Sequence, residues 1–237
     1  MHGEKYIRTI GGGPLSSGEP YNPLARQNLG ASVAEALLSR SAEGFTSLKA
    51  FTGAGIYAIY YSGPFLQYEP IAKRNRGNRF EAPIYVGKAV PEGARKGASG
   101  GGKTTSTKAL FNRLLEHGES VNRTPSLAVE DFHCRYLVVD DIWIPLAESL
   151  LINKFMPVWN TIVDGFGNHD PGKGRYQGKR PRWDVIHPGR EWATRCAERQ
   201  EASTQILADV EEHLRSQPIP QNPHFFVLQD RADYDAG

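Results

Sequence analysis

The sequence predicts an α+β fold, and three observations carry that reading. Two short runs rich in Ile, Val and Tyr, Gly55 to Tyr61 and Ile84 to Lys88, are bounded by Gly and Pro and have the composition of β-strands; Phe132 to Asp140 supplies a third. Elsewhere, apolar residues recur at helical intervals. With 25 Gly, 16 Pro and 39% hydrophobic residues, the 237-residue chain reads as a small core carrying large extensions.

Residues 1–21 are rich in Gly, Ser and Pro and predict an extended arm. Ser32-Val-Ala-Glu35 has capping-box spacing, and Val33, Leu37 and Leu38 follow at helical intervals, which predicts a short helix packed on the core. After the first strand, Ser62 to Pro83 is longer than a hairpin connection needs. It holds Lys73-Arg-Asn-Arg-Gly-Asn-Arg79, whose guanidinium groups suit phosphate oxygens and guanine edges and whose asparagines suit adenine. The run predicts a DNA-embracing loop with Lys73, Arg74, Arg76 and Arg79 as contacts.

Gly97-Ala-Ser-Gly-Gly-Gly102-Lys103-Thr104 matches the phosphate-binding P-loop pattern, and the strand ending in Asp140 resembles the acidic strand that would hold magnesium. The mechanics argue otherwise, because a P-loop leaves a buried strand directly and enters a helix. Pro91 to Lys96 precede this one, with no strand pattern. The segment is therefore read as a glycine-lysine loop placing Lys103 beside DNA phosphates, with a nucleotide hydrolase as the alternative.

A helix is expected from about Thr105 to Gly118, with Leu110, Phe111, Leu114 and Leu115 as its apolar stripe and Gly118 as its stop. Arg113 and His117, four apart, sit one above the other beside that stripe. Trp143-Ile-Pro145 leads into a helix with Pro in its first turn, on which Glu148 falls between Leu151 and Ile152. A carboxylate there is costly unless paired, protonated or bound to a cation, so either a salt bridge or a metal ligand explains it. Trp159-Asn160 follows Pro157 and offers an amide to a substrate or a catalytic group.

Gly165 to Arg190 reads as a polar coil in which Tyr176, Trp183 and His187 are interleaved with Lys173, Arg175, Lys179, Arg180, Arg182 and Arg190, a mixture suited to DNA backbone and bases. Lys173, Arg175, Arg180 and Arg182 are its DNA-binding candidates. Glu191 to about Ser216 reads as an acidic amphipathic helix with Ile206, Leu207, Val210 and Leu214 on one side, for core docking or a dimer contact.

Charge is distributed unevenly. Ten Lys/Arg face two acids between Lys73 and Arg113, whereas from Glu191 onward four basic residues face nine acidic ones. A basic middle offset by an acidic tail suits a polyanion-binding face. Cys134 and Cys196 make neither a metal spacing nor a disulfide framework and read as reduced, structural thiols. No apolar run is long enough to span a bilayer and no secretory signal pattern opens the chain, so the expectation is a cytoplasmic protein with no membrane partner.

Gly55-Ile56-Tyr57 and Tyr85-Val86-Gly87 resemble the paired signature of the GIY-YIG nucleases, with Val86 in place of the isoleucine. Tyr57, Tyr85, Arg113, His117, Glu148 and Asn160 fall in the order that family requires. The resemblance covers about Gly53 to Gly165 and implies a small three-stranded antiparallel sheet flanked by helices. It divides the chain into an N-terminal arm and helix (1–52), a nuclease core with basic insertions (53–165) and a C-terminal DNA-contact coil with an acidic helix (166–237), all within one compact domain. The long insertions, the terminal extensions and Trp183-Asp-Val-Ile-His-Pro-Gly-Arg190 look like the type II restriction endonucleases of the family, in particular those that recognise CCGCGG. That resemblance implies hydrolysis of double-stranded DNA by a homodimer at a palindrome, to 5′-phosphate and 3′-hydroxyl ends, with no nucleotide cofactor.

It also implies roles. Glu148 would bind one divalent metal, Mg2+ or Mn2+, and Arg113 would donate to the scissile phosphate. Tyr57 would orient or deprotonate the attacking water, and His117 would draw off the proton that a phenol of pKa about 10 holds too tightly. Tyr85 and Asn160 would complete the hydrogen-bonded surroundings, and Lys88 would lower a tyrosine pKa or touch DNA. A non-catalytic DNA-binding module stands beside the nucleotide hydrolase as an alternative.

Overall fold

The strand Gly55–Tyr61 is buried along its whole length, and alternate side chains enter two different cores. The structure is a computed structural model describing residues 22, 24–90, 107–172, 174–217 and 219–224. Its elements run α1 (Arg26–Leu38), β1 (Glu43–Gly44), β2 (Gly55–Tyr61), α2 (Glu69–Asn75), β3 (Pro83–Ala89), α3 (Ala109–Asn122), β4 (Phe132–Val138), α4 (Ile144–Phe155), α5 (Val158–Thr161), α6 (Arg182–Ile186), α7 (Glu191–Thr194) and α8 (Ser203–Ser216). The four strands form one antiparallel sheet in the order β1-β4-β2-β3. The fold is therefore α+β as expected, with the two-residue β1 as a fourth strand beside the predicted three.

Because side chains alternate across a strand, Tyr57, Ile59 and Tyr61 face one core while Ile56, Ala58 and Tyr60 face the other. The first core receives Leu110 and Leu114 of α3, Trp159 of α5, Trp183 of α6 and Ile206 and Val210 of α8. The second receives Ala34 and Leu37 of α1 and Ile144, Ala147 and Leu151 of α4. α1 lies close on α4 because Gly30 has no side chain: a Cβ there would stand 2.5 Å from Leu150 Cδ1 and 2.7 Å from Leu146 Cγ.

Several expected boundaries move. α1 begins at Arg26, not at Ser32, so Ser32 is interior, and Glu35 pairs with His224 (Oε1 to Nδ1, 2.7 Å) instead of closing a capping box. α3 runs through Gly118 to Asn122, because the stripe that holds it is Leu110, Leu114, His117 and Val121; Leu115, expected on that stripe, is 40% exposed. The expected C-terminal helix is two, α7 and α8, separated by residues 195–202. Ile206 and Val210 dock on the first core with Leu207 and Leu214 packed beside them.

The long connection between β2 and β3 is not an open loop. Tyr68, Ile71 and Ala72 are buried in the first core, and the buried Asn75 amide ties the connection down by donating to Tyr61 O and Ala82 O while accepting from Ala82 N. The P-loop-like segment Gly97–Thr104, with Lys103, lies outside the described residues, as do the N-terminal arm and Lys173. The antiparallel pairing of β2, β3 and β4 does not provide the parallel sheet that a P-loop nucleotide fold uses. Both cysteines are buried and free, with burial pushing the Cys134 thiol up to about 12. Among the described residues no helix is long and apolar enough to cross a membrane.

Candidate active site

The register of β2 against β3 builds the centre of the site. Tyr57 lies opposite Gly87, and Ile59 opposite Tyr85, so the two tyrosines share a face on a diagonal, with ring centroids 6.2 Å apart. Gly87 is required there: a Cβ would stand 2.6 Å from Tyr57 Cζ and 2.9 Å from Tyr85 Cε1. The two glycine-tyrosine pairs recognised in the sequence are thus one packed unit.

α3 crosses the same face and delivers the imidazole. His117 is buried, and its Nε2 is hydrogen-bonded to the Tyr57 hydroxyl at 2.6 Å. Burial, followed by the charge of Arg113, holds its pKa well below the usual histidine value, so the ring is neutral at physiological pH. Burial, reinforced by neighbouring Tyr85, holds the Tyr57 hydroxyl well above its ordinary pKa; Arg113 pulls it down and Glu148 pushes it up. Tyr85 is likewise raised by burial, with Arg113 lowering and Glu148 raising it. Arg113 thus acts on Tyr57, Tyr85 and His117, and Glu148 acts on the two phenols.

Arg113 is held by its own neighbours. Nη1 donates to Glu116 Oε2 (3.0 Å) and meets His169 Nε2 (2.6 Å), while Nη2 donates to Gly167 O (2.5 Å). Phe166, one residue before Gly167, stacks on His117 at 4.5 Å and meets Tyr85 edge-on at 5.1 Å. Glu116, Phe166, Gly167 and His169 were not singled out in the sequence. The one available signal was Glu116, three residues after Arg113 on the same helix face.

Glu148 comes from α4 on the opposite side of the sheet. Its side chain is 16% exposed and its Oε2 lies 2.6 Å from Lys88 Nζ at the end of β3. The expected cost of burying a carboxylate is thus met by a lysine, and Lys88, expected beside DNA or a tyrosine, instead holds Glu148. A hard oxygen donor of this kind fits magnesium or manganese, which keep water and phosphate oxygens as most of their ligands. No group of three or more His, Cys, Asp or Glu suited to a metal gathers among the described residues.

Asn160 has a different place from the one expected. β3 is an edge strand, and Asn160 covers that edge: Oδ1 accepts from Val86 N and Nδ2 donates to Val86 O, both at 2.8 Å. Its amide imitates a neighbouring peptide and fixes the strand between Tyr85 and Gly87. Both amide groups are engaged with β3 and neither with the phenols.

Most of the basic residues expected to face DNA have partners within the chain. Arg74 binds Glu81 and the carbonyls of Pro220 and Gln221, Arg76 grips both oxygens of Glu69, and Arg79 donates to Lys73 O and Arg76 O. Arg182 holds Glu201 and Asp209, and Arg180 donates to Ala193 O. Trp183 and His187, expected among surface contacts, are fully buried because their rings pack against Trp159. Lys73, Arg175 and Lys179 remain exposed. Arg175 and Lys179 line a groove of about 360 Å3 with Gly167, His169 and Trp192, so the groove begins at the residue that receives Arg113.

No curated protein matches the chain. The family model described as the Eco29kI GIY-YIG domain matches residues 49–214, a span that holds the entire sheet apart from β1 and every residue of the cluster just described. The match brings with it the nuclease chemistry and the DNA partner of a restriction enzyme, and the chain belongs to the Eco29kI GIY-YIG family of restriction endonucleases.

Proposed function

We propose that the chain is a metal-dependent, sequence-specific endonuclease that hydrolyses both strands of a palindromic DNA site, leaving 5′-phosphate and 3′-hydroxyl ends. The observation that carries this reading is the 2.6 Å contact between the Tyr57 hydroxyl and His117 Nε2, within reach of the Arg113 charge. A phenol raised by burial does not ionise unaided near neutrality, so it needs an adjacent acceptor, and a neutral imidazole is one. Water attacking phosphorus gives its proton to the Tyr57 oxygen while the Tyr57 proton passes to His117 Nε2. The resulting imidazolium is disfavoured in the free protein and favoured once the phosphate charge enters the cluster. Arg113, fixed by Gly167 and Glu116, presents its charge to the same phosphate, and Tyr85 supplies a second hydroxyl. Bound at Glu148, a magnesium or manganese ion would polarise the phosphate and stabilise the departing 3′ oxygen.

The groove lined by Arg175 and Lys179 gives the backbone a basic track leading away from Arg113. A palindromic site calls for two-fold symmetry, so the active species is a homodimer with each subunit cutting one strand. CCGCGG is the site that the sequence resemblance implies.

Plasmid DNA incubated with magnesium and no nucleotide tests the reading. Discrete fragments support it; intact but retarded DNA, or cutting only with added nucleotide, rejects it. Glu148→Gln is expected to bind duplex DNA within a few-fold of the parent while losing cleavage by about a thousandfold or more. Retained cutting would remove Glu148 from the mechanism. Sedimentation with a specific duplex is expected to show two subunits per site.

A further inference from the structure

Arg190 and Asp184 are buried, and all five donors of the arginine have acceptors. Nε and Nη2 grip the two Asp184 oxygens at 2.7 and 2.5 Å; Nη2 also donates to Gly165 O at 2.9 Å, and Nη1 donates to Phe166 O and Asn168 O at 3.1 and 3.2 Å. The guanidinium sits between the rings of Trp183 (4.6 Å) and Trp192 (4.7 Å). A buried pair of this kind adds little net stability compared with an apolar filling of the same volume. Its geometry shows a more specific use. Three carbonyls of one turn, Gly165 to Asn168, converge on it, and that turn touches three groups of the reactive cluster.

Phe166 covers the His117 ring with the two planes only 17° apart and meets Tyr85 edge-on. Gly167 O receives Arg113, and Gly167 must lack a side chain because a Cβ would stand 2.5 Å from the Tyr85 hydroxyl. The turn itself has little regular structure to hold it, and Gly165 has φ of +96°. Without an internal anchor such a segment samples many conformations.

We propose that the Asp184–Arg190 pair is a positioning device for DNA cleavage: by fixing the carbonyls of Gly165, Phe166 and Asn168 it sets the turn that orients His117, Tyr85 and Arg113. The inference rests on the nuclease reading above. Neither residue reaches the substrate; both act through Phe166 and Gly167.

Arg190→Lys keeps the charge but loses the planar fork, which a single ammonium does not replace. At saturating enzyme it is expected to lower the single-turnover cleavage rate by about tenfold or more, since misplacement by an ångström is enough for such a loss. The Kd for duplex DNA, measured on a Glu148→Gln background, should stay within about twofold. Phe166→Leu, which leaves the pair intact, should lower the same rate constant without changing that Kd, and it decides the matter if Arg190→Lys does not fold. Val210→Ala, in the same core but on α8, is the control for general loosening. Arg190→Lys that is folded and cuts at the parent rate would overturn the proposal, as would Val210→Ala losing as much rate for the same fall in Tm. The Arg113 guanidinium resonances give a readout independent of activity. If the parent protein cuts no DNA while Arg190→Lys still broadens those resonances, the nuclease reading fails and the positioning role stands.

Discussion

Two buried tyrosine–histidine pairs lie in the same core, and only one belongs to the reactive cluster. Tyr57 meets His117 Nε2 at 2.6 Å and Tyr68 meets His187 Nε2 at 2.9 Å. Both phenols are pushed up and both imidazoles pushed down by burial. What separates them is the company. Tyr68 accepts from Trp159 Nε1 and is hydrogen-bonded to His187 Nε2, whose Nδ1 is in turn hydrogen-bonded to Ser126 Oγ at 2.8 Å; each of these atoms has a partner, and burial alone shifts His187. Tyr57 instead feels the charges of Arg113 and Glu148 and the hydroxyl of Tyr85, with Arg113 paired to Glu116 and Glu148 to Lys88. A tyrosine–histidine contact is therefore common material, and in the mechanism proposed above it is the charges beside Tyr57 that make its contact a proton path and not a strut.

Removing each hydroxyl sharpens the contrast most. Tyr57→Phe should lower the cleavage rate constant by about 10²- to 10⁴-fold, the range of a lost acid–base group, and also cost about 1–3 kcal/mol of stability because it strands buried His117 Nε2. Tyr68→Phe should lose stability alone. It strands His187 Nε2 and Trp159 Nε1 in the core at a cost of about 1–3 kcal/mol, and cleavage at temperatures where the protein is folded should be unchanged. Paired rate and melting measurements on the two variants check this; equal losses of rate would dissolve the distinction.

Acid is expected to act on both pairs in one direction. His187 has a pKa of about 3 in the folded protein against about 6.5 unfolded. Between those values the unfolded chain binds the extra proton, so the stability that neutral His187 preserves is fully present above pH ~6.5 and falls as pH drops towards 3. The slope from this one residue is about 1.4 kcal/mol per pH unit. Urea melts of the parent and His187→Gln at several pH values should show the shallower decline in the variant. His117 adds loss of the same sign, so acid stability does not separate the pairs, whereas the pH profile of kcat/KM does. Its acid limb should lie below the ordinary histidine pKa and be unmoved by His187→Gln.

The sequence made one of these pairs legible and hid the other. Tyr57 and His117 were visible because they fall in the order of the GIY-YIG signature, on segments whose strand and helix periods need only local chemistry. Tyr68 lay in a stretch whose arginines suggested DNA, and His187 in a coil whose charges suggested the same. Charge pattern does not report that Arg76 will find Glu69, or Arg182 Glu201 and Asp209, because those partnerships depend on the path of the chain between them. Glu148 was marked by its apolar surroundings, but its partner, Lys88, sits far earlier in the chain on β3 and carries no local sign of the pairing. Gly167 gave no signal either, since its use lies in what a side chain would strike.

The smallest expected effect lies one residue beyond the reactive histidine. Gly118 is inside α3, where glycine costs about 0.5–1 kcal/mol relative to alanine because it surrenders more backbone freedom on folding. A Cβ at Gly118 would meet Phe45 Cδ1 at 3.5 Å, an ordinary contact, whereas a Cβ at Gly87 would press on the Tyr57 ring. Gly118→Ala should therefore stabilise the protein by that amount, raising Tm by about 1–4 °C for a chain of this size. The rate of DNA cleavage should not change, because the new methyl points at Phe45 and not at Tyr57. Gly87→Ala should cost both stability and rate. If Gly118→Ala also slowed cleavage, the position of His117 would depend on give in α3 rather than on the fixed stack of Phe166, and the difference between a proton path and a strut would lie in the helix as well as in the charges around it.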